Sequence, residues 1–192
     1  DPVAFRASLL QHHPRHLAVL QRAAALAGWG QPPAPAPDGA PVARGVALHQ
    51  SFGSIVAQVA EVSLAPDQSI RVHRVVCVID CGTAINPNLI RQQMDSAVVF
   101  GLTAALHGGV TLTQGRVLQS NFHDQPLLKM ADCPVIQTDI MPSTEPPEGV
   151  GEPGTPPIAP AVANAFFALT GQRLRTLPLQ LQLQPARTAS TP

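Results

Sequence analysis

Residues 149–157 have the sequence Gly149-Val150-Gly151-Glu152-Pro153-Gly154-Thr155-Pro156-Pro157, and the interpretation of the whole chain starts from them. The three glycines permit positive φ values and let another molecule approach the main chain closely. The three prolines fix φ and remove N–H donors. We therefore predict a rigid loop that presents Glu152. Two interpretations of that residue are open: it caps the following helix, or it is a catalytic carboxylate.

A helix with one buried face is predicted directly after this loop. Its inward positions recur at spacings of three and four, and they are Ala159, Val162, Ala163, Phe166, Phe167 and Thr170. We expect Thr155 or Pro156 to open the helix and Gly171 to close it in the left-handed conformation. Glu152 then precedes a helix N-terminus, which favours the carboxylate, whereas burial would favour the neutral acid.

Composition limits the functions open to the chain. Its 192 residues suffice for one sizeable core, and only 12% of them are charged, about half the usual share. We interpret this low charge as a sign that other protein covers much of the surface. The net charge of zero gives no electrostatic case for nucleic acid or an anionic membrane, and no apolar run approaches the ~20 residues of a membrane helix.

The cysteines and the first residue leave the compartment open. Cys77, Cys81 and Cys133 are odd in number and lack the spacing of a metal site, so we expect buried thiols. The chain begins with Asp1 rather than Met, so we expect its natural start to be missing, and both cytoplasm and periplasm remain open.

The sequence pattern divides the chain into four segments. Residues 1–30 predict two short helices, and residues 31–43, with five prolines, predict a linker. Residues 44–179 form the main domain, and residues 180–192 a tail. His12, His13 and His16 lie in the first segment, where Pro14 breaks their helical spacing, and we expect surface histidines rather than metal ligands.

The strand and helix patterns predict that the main domain is α+β, with antiparallel strand pairs packed against helices. Residues 44–80 predict one strand pair, with a turn at 65–69 and a bend or bulge at 51–54. Further strands are predicted as a hairpin over 110–117, a strand over 134–141 that leads to the Glu152 loop, and a last strand over 174–183. His123 and Asp124 are neighbours that could form a functional pair, but we expect them to lie in a solvated loop.

A long helix is predicted from the Asn86 N-cap and Pro87 to about Leu106. Its predicted apolar stripe consists of Leu89, Ile90, Ala97, Phe100, Gly101 and Ala104, and Gln93 lies in the middle of that stripe. A buried amide needs hydrogen-bond partners. We therefore expect Gln93 to bond either to the backbone of a nearby loop or to a bound ligand.

Three separated motifs resemble the C-terminal part of the molybdenum hydroxylases of the xanthine dehydrogenase and aldehyde oxidoreductase type. They are Asp80-x-Gly82-x-x-x-Asn86-Pro87, Gln93-Met94-Asp95 and Gly149-Val150-Gly151-Glu152-Pro153. The similarity is greatest to the large, molybdopterin-binding β subunit of the isoquinoline 1-oxidoreductase group and its aldehyde-oxidising relatives. It extends over about residues 1–179, so residues 44–179 would be the C-terminal part of a molybdopterin-binding domain.

The resemblance implies a role for each matching residue. Glu152 would be the base beside the molybdenum, and it would take the proton from a metal-bound hydroxyl. That oxygen would attack an N-heterocycle or an aldehyde while hydride passes to a sulfido ligand. Gln93 would contact the pterin, and Gly149, Val150 and Gly151 would bring backbone close to the metal site; no residue is implied as a metal ligand. The family commonly continues Gln-Met with Glu-Gly-Gly, whereas this chain has Asp95-Ser96-Ala97.

The resemblance also implies cofactors and partners. The cofactor would be molybdenum–molybdopterin, in the cytosine dinucleotide form that bacterial relatives suggest. The partners would be the remainder of the large subunit, a small subunit with 2Fe-2S clusters and a small-molecule substrate. We expect the isolated chain to be inactive.

Two alternatives to catalysis stay open. The first is a truncated, non-catalytic remnant or an interaction module without bound cofactor. The second is an anion-binding domain that uses residues 149–155 at a helix N-terminus, although that loop has no Lys or Arg.

Overall fold

The computed structural model of the chain describes residues 1–180. The elements in chain order are α1 (Pro2–Leu9), α2 (Pro14–Leu26), β1 (Ala43–Ser51), β2 (Ser54–Leu64), β3 (Ile70–Asp80), α3 (Pro87–Leu106), β4 (Leu112–Thr113), β5 (Arg116–Val117), a 3₁₀ turn (Met130–Asp132), β6 (Val135–Ile140) and α4 (Ile158–Thr170). The mixture of helices and sheet confirms the α+β class.

One four-stranded sheet, in the order β1-β2-β3-β6, is the centre of the fold. The first three strands are antiparallel, whereas β6 pairs parallel to β3. The prediction of a single strand pair over 44–80 is therefore wrong, because residues 51–54 turn the chain between two strands instead of bending one. Phe52 and Gly53 both have positive φ, 51° and 77°, as a two-residue hairpin turn requires. Phenylalanine rarely adopts that conformation, so residues 51–54 indicate a bend or bulge rather than a hairpin turn.

Helices cover both faces of the sheet. One face packs against α2 through a cluster that consists of Val19, Leu20, Ala23, Ala27, Val46, Ile55, Ala57, Val59, Val76 and Val78. The other face packs against α3 and α4, where Ala60, Val75, Val98, Leu102, Ile158 and Val162 are among the buried residues. Both strand faces are apolar because both are covered, which explains the nearly continuous Val/Ile runs of β2 and β3.

Polar contacts join the N-terminal helices to the sheet. Arg44 Nε lies 2.7 Å from Glu61 Oε1, and Arg44 Nη1 donates to the carbonyl oxygens of Gly28 and Gln31 at 2.8 and 2.7 Å. Arg74 Nη2 donates to the carbonyl oxygen of Leu26 at 3.0 Å. The predicted boundaries at 30, 43 and 179 are not decided by these contacts and stay predictions.

Helix α4 confirms its predicted end but not its predicted start. Gly171 has φ 74° and ends the helix, as expected. The helix begins at Ile158 rather than at Thr155 or Pro156, because residues 151–157 form successive turns, one of which is closed by the Thr155 N–H on the Glu152 carbonyl oxygen at 2.9 Å.

Other local predictions have mixed outcomes. The two-residue turn at Gln114-Gly115 and the strand at Val135–Ile140 are confirmed. No strand is present over 174–180, where the Leu179 N–H donates to the Ala105 carbonyl oxygen at the end of α3. Residues 181–183 of that predicted strand, and all but the first residue of the predicted tail, lie outside the described part.

The expectation of buried thiols is confirmed for two of the three cysteines. Cys77 and Cys81 are buried, whereas Cys133 is partly exposed. Burial raises the pKa of Cys77 to about 12. None of the helices within residues 1–180 has the length and apolar character needed to cross a membrane.

Candidate functional site

The Glu152 loop, residues 141–157, connects β6 to α4 and passes the end of the sheet where β2 begins and β3 ends. Ser54, the first residue of β2, donates its Oγ–H to the Gly149 carbonyl oxygen at 2.6 Å. The Gly149 N–H donates to the Phe52 carbonyl oxygen at 3.1 Å, and the Glu148 N–H donates to that of Cys81 at 2.9 Å. The β1–β2 turn and the end of β3 therefore fix the first half of the loop.

Gln58 fixes the second half of the loop from inside the core. Its fully buried side chain donates from Nε2 to the Gly154 carbonyl oxygen at 2.7 Å. Gly154 in turn lies against α3, where an added Cβ would be 2.8 Å from the Ala97 Cβ and 3.1 Å from the Met94 Sδ. The main chain at Gly154 thus occupies the space between β2 and α3 and leaves no room for a side chain.

The glycines of this loop have a different explanation from the one expected. Gly149, Gly151 and Gly154 all lack positive φ values, so that part of the prediction is wrong. Gly149 and Gly154 are needed because other parts of the same chain approach them closely; a Cβ on Gly149 would lie 2.9 Å from the Phe52 Cβ. Gly151 has open space around it, so its main chain is accessible to another molecule.

Glu152 is exposed, and its carboxylate has no hydrogen bond or ion pair with any residue of the range 1–180. It does not cap α4, whose N-cap residue is Pro157 and which has no side-chain capping bond. The capping interpretation is therefore wrong. Within the same range, the N–H groups of Val150, Gly151 and Glu152 also have no hydrogen-bond partner. Toward residues 1–180, the centre of the loop thus presents three consecutive unpaired donors and one unpaired carboxylate.

The predicted stripe of α3 is only half right. The helix buries Ile90, Met94, Ala97, Val98, Gly101, Leu102 and Ala105. Leu89 and Phe100, at 54% and 70% exposure, lie on the open side with Gln93. The expectation of a buried amide is thus wrong, because apolar residues occur on both sides of this helix and periodicity alone did not select the covered one.

Gln93 nevertheless lies beside the Glu152 loop. It precedes Met94 and stands one helical turn before Ala97, the two α3 residues that contact Gly154. The structure therefore places Gln93 on the helix that packs against Gly154, and Gly149, Val150, Gly151 and Glu152 in the loop that leads to Gly154. The contact of Gln93 with a cofactor and the role of Glu152 as a base stay predictions.

The Asp80-x-Gly82-x-x-x-Asn86-Pro87 motif has a structural role. Asp80 is 5% exposed, and its two oxygens accept from Arg15 Nε and Nη2 at 2.8 Å each. These bonds, with the Gly82 N–H, hold the pKa of the Asp80 carboxyl below its ordinary value. Asn86 accepts from the Leu89 N–H at 3.1 Å and begins α3, which confirms the predicted N-cap.

Sequence reasoning missed Ser54 and Gln58. The available signal was the two-residue period of a strand, which places residues 54, 56, 58 and 60 on one face of β2. Gln58 lies between Val56 and Ala60 on that apolar face. Within residues 1–180, no group of three or more His, Cys, Asp or Glu side chains is placed to hold a metal ion.

Comparison with known proteins identifies the family. Residues 39–134 match the model of the molybdopterin cofactor-binding domain. The chain belongs to this family of the molybdenum hydroxylases. It is 36% identical over 181 residues to isoquinoline 1-oxidoreductase subunit beta of Brevundimonas diminuta, a match that covers 94% of this chain and 23% of that protein. The resemblance of the three motifs is confirmed.

Two further relatives extend the comparison. The chain is 28% identical over 197 residues to a membrane-bound aldehyde dehydrogenase of Gluconacetobacter polyoxogenes, named with pyrroloquinoline quinone; the match covers 94% of this chain and 25% of that protein. The crystal structure of quinoline 2-oxidoreductase from Pseudomonas putida 86 has the same fold, with a TM-score of 0.60 and 23% identity over 65% of this chain and 17% of that one. The chain spans about a quarter of the length of these curated relatives.

Proposed function

We propose that this chain is the part of a molybdenum hydroxylase that carries the catalytic base, and that Glu152 is that base. The complete enzyme would oxidise an N-heterocycle or an aldehyde. The observation that supports this most is the Glu152 loop. Its flanks at Gly149 and Gly154 are fixed, while a carboxylate and three N–H groups at its centre have no partner in the described part of the chain.

The unpaired donors fit a ligand rich in hydrogen-bond acceptors. The N–H groups of Val150, Gly151 and Glu152 are consecutive, and no side chain stands over Gly151. They would donate to oxygen or sulfur atoms of molybdenum–molybdopterin, and the exposed Gln93 amide would donate to or accept from the pterin. When bound, that cofactor supplies a two-electron oxidant and the oxygen that is added to the substrate carbon.

The contribution of Glu152 itself is to move a proton. A general base must reach the proton that it removes and must stand on a rigid support. One of the two carboxylate oxygens would accept the proton as the substrate is attacked. Because the side chain is exposed and unpaired within residues 1–180, it would then return that proton to solvent.

The remaining parts of the enzyme would come from elsewhere. The curated relatives are about four times as long as the matched region, and the open side of α3 presents Leu89 and Phe100. We propose that the remainder of the large subunit covers that side, and that a small subunit with 2Fe-2S clusters accepts the electrons. The cytosine dinucleotide form of the pterin belongs to the same proposal.

The test is Glu152→Gln in the complete enzyme, with Glu148→Gln as the matched control. Loss of a general base lowers turnover by roughly 10²–10⁴-fold. We expect that loss for Glu152→Gln, with molybdenum and pterin content unchanged, and near-normal turnover for Glu148→Gln. Wild-type turnover in Glu152→Gln would refute the proposed base.

The same preparations address the alternatives. A non-catalytic remnant or interaction module predicts that the chain enters no complex with molybdenum and pterin. A quinone-dependent enzyme, as one relative is named, predicts pyrroloquinoline quinone in the extracted cofactor. Metal analysis together with pterin fluorescence separates these outcomes.

A further inference from the structure

Strand β2 has three fully buried polar side chains, those of Ser54, Gln58 and Ser63. A buried polar group destabilises the fold unless it finds a partner, so each of them needs an explanation. Ser63 bonds to the His73 ring at 2.7 Å, at the far end of the strand. The other two bond to the Glu152 loop.

The geometry of these two bonds is that of a clamp. Ser54 and Gln58 are four residues apart on one strand, so their side chains leave the same face of the sheet, roughly 13 Å apart along the strand. Their acceptors are the carbonyl oxygens of Gly149 and Gly154, at 2.6 and 2.7 Å. Those two carbonyl groups flank Glu152, three residues before it and two after it.

The amide of Gln58 is the more informative member of the pair. Its Nε2 donates to Gly154 and also lies 3.5 Å from the Cys77 Sγ, but its Oε1 is buried and has no partner among residues 1–180. An apolar residue of similar volume would avoid that unpaired oxygen. The bond to the loop is therefore the benefit that a glutamine brings at this position.

We propose that Ser54 and Gln58 are positioning residues that hold Glu152 in its productive place. This inference rests on the proposed function for its catalytic consequence, although the clamp itself can be measured without catalysis. Both residues act through the loop backbone and touch neither the carboxylate nor the space around Gly151. Without them the loop keeps its contact with α3 but loses its two hydrogen bonds to β2.

The experiment uses the complete enzyme with Ser54→Ala, Gln58→Met and the double variant. A displacement of about 1 Å at a reacting group lowers the rate by about 10²-fold. We expect kcat to fall by about 10-fold in each single variant and about 100-fold in the double variant, with KM within about two-fold of wild type and with full molybdenum and pterin content. Ser54→Thr, which retains the hydroxyl, should restore most of kcat.

A second readout does not depend on turnover. In cofactor-free protein, hydrogen–deuterium exchange of the Gly149 and Thr155 amides, which donate to the Phe52 and Glu152 carbonyl oxygens, should be about ten-fold faster in the double variant, with β1, β2 and β3 unchanged. Ser63→Ala is the matched control, because it removes a fully buried serine hydroxyl from the same strand without touching the loop. It should change neither kcat nor exchange in the loop.

Each contrary outcome has a distinct meaning. Unchanged exchange at Gly149 and Thr155 in the double variant overturns the clamp. Faster exchange throughout the sheet, or an equal loss of kcat in Ser63→Ala, also overturns it, because the bonds would then serve stability only. Faster loop exchange together with an active Glu152→Gln enzyme leaves the clamp standing and refutes the base instead.

Discussion

The two long irregular regions of the chain, the Glu152 loop and the outer segment of residues 107–134, are held in opposite ways. The Glu152 loop lies between β2 and α3 and bonds to both the β1–β2 turn and the end of β3. The outer segment bonds mainly to itself, as in the Leu118 N–H to Thr111 carbonyl bond, and meets α3 by the Leu128 N–H donating to Thr103 Oγ1 at 3.2 Å.

The two regions also differ in how far their apolar side chains are exposed. The outer segment exposes large apolar residues, namely Val110, Leu112, Val117, Leu118, Phe122, Leu127 and Met130. It also borders a cavity of about 550 Å³ that reaches His73 and His107. Irregular backbone is thus fixed where a sheet and a helix enclose it, and an isolated two-stranded hairpin such as β4–β5 is only marginally stable. Substitutions in the two regions test this difference.

The largest effect is expected at the enclosed glycine of the Glu152 loop. Gly154→Ala places a Cβ 2.8 Å from the Ala97 Cβ, whereas Gly151→Ala meets open space. We expect Gly154→Ala to lower the free energy of unfolding by about 1–3 kcal/mol, as overpacked sites do, and Gly151→Ala to change it by less than about 0.5 kcal/mol. Urea denaturation of the purified protein measures both. Equal values for the two variants would show that the loop is not enclosed.

A smaller effect is expected at the ion pair that supports the loop. Asp80 bonds to Arg15, and the turn after Asp80 receives the loop through the Thr83 N–H and the Glu145 carbonyl oxygen at 2.8 Å. Asp80→Asn should lower the free energy of unfolding at pH 7 by about 1–2 kcal/mol. Adding Arg15→Met to the Asp80→Asn protein should cause little further loss of stability, because both substitutions remove the same ion pair.

The pH dependence of that pair has a defined sign. The folded-state pKa of Asp80 is below its ordinary value of 3.8, so its contribution to stability is present above pH 3.8. It is lost as the pH falls from there through the lower folded-state pKa. Between pH 5 and pH 3, Asp80→Asn should therefore lose less stability than the wild type. Parallel curves for the two proteins would contradict the assignment.

The smallest effect is expected in the outer segment. Leu112→Ser changes a side chain that is 68% exposed on the β4–β5 hairpin, so the free energy of unfolding should change by less than about 0.5 kcal/mol. Its solubility should rise instead, since an exposed apolar group is removed. A loss above 1 kcal/mol in urea denaturation would mean that the segment is as firmly held as the Glu152 loop.

Local signals in the sequence predicted what depends on local physics. Asn86 and Pro87 mark the start of α3, Gly171 the end of α4, and Gln114-Gly115 the turn of the β4–β5 hairpin, because caps and tight turns are decided by a few neighbouring residues. The sequence also predicts an irregular loop around Glu152, but Gly149 and Gly154 are needed there for contacts with distant parts of the chain and not for positive φ.

The errors arose where distant parts of the chain decide the outcome. The turn at Phe52 uses a residue that rarely has positive φ, so residues 44–80 were interpreted as two strands rather than three. The covered side of α3 depends on where α4 and the sheet lie, and the helix has apolar residues on both sides. The bonds of Ser54 and Gln58 join residues about 95 positions apart, a separation at which periodicity carries no information.

Gly45, on β1, affects the position of the Glu152 loop although it is distant in the sequence. A Cβ at this position would collide with the main chain of α4 at Ala161 and Ala165, so at this point the backbone of the helix lies directly on the strand. Since α4 follows the Glu152 loop, any side chain at residue 45 would lift the exit of that loop from the sheet. Residue 45, more than one hundred positions before the loop, must therefore be glycine because the α4 backbone occupies the space of a side chain. Gly45 needs no chemical role for this requirement to hold.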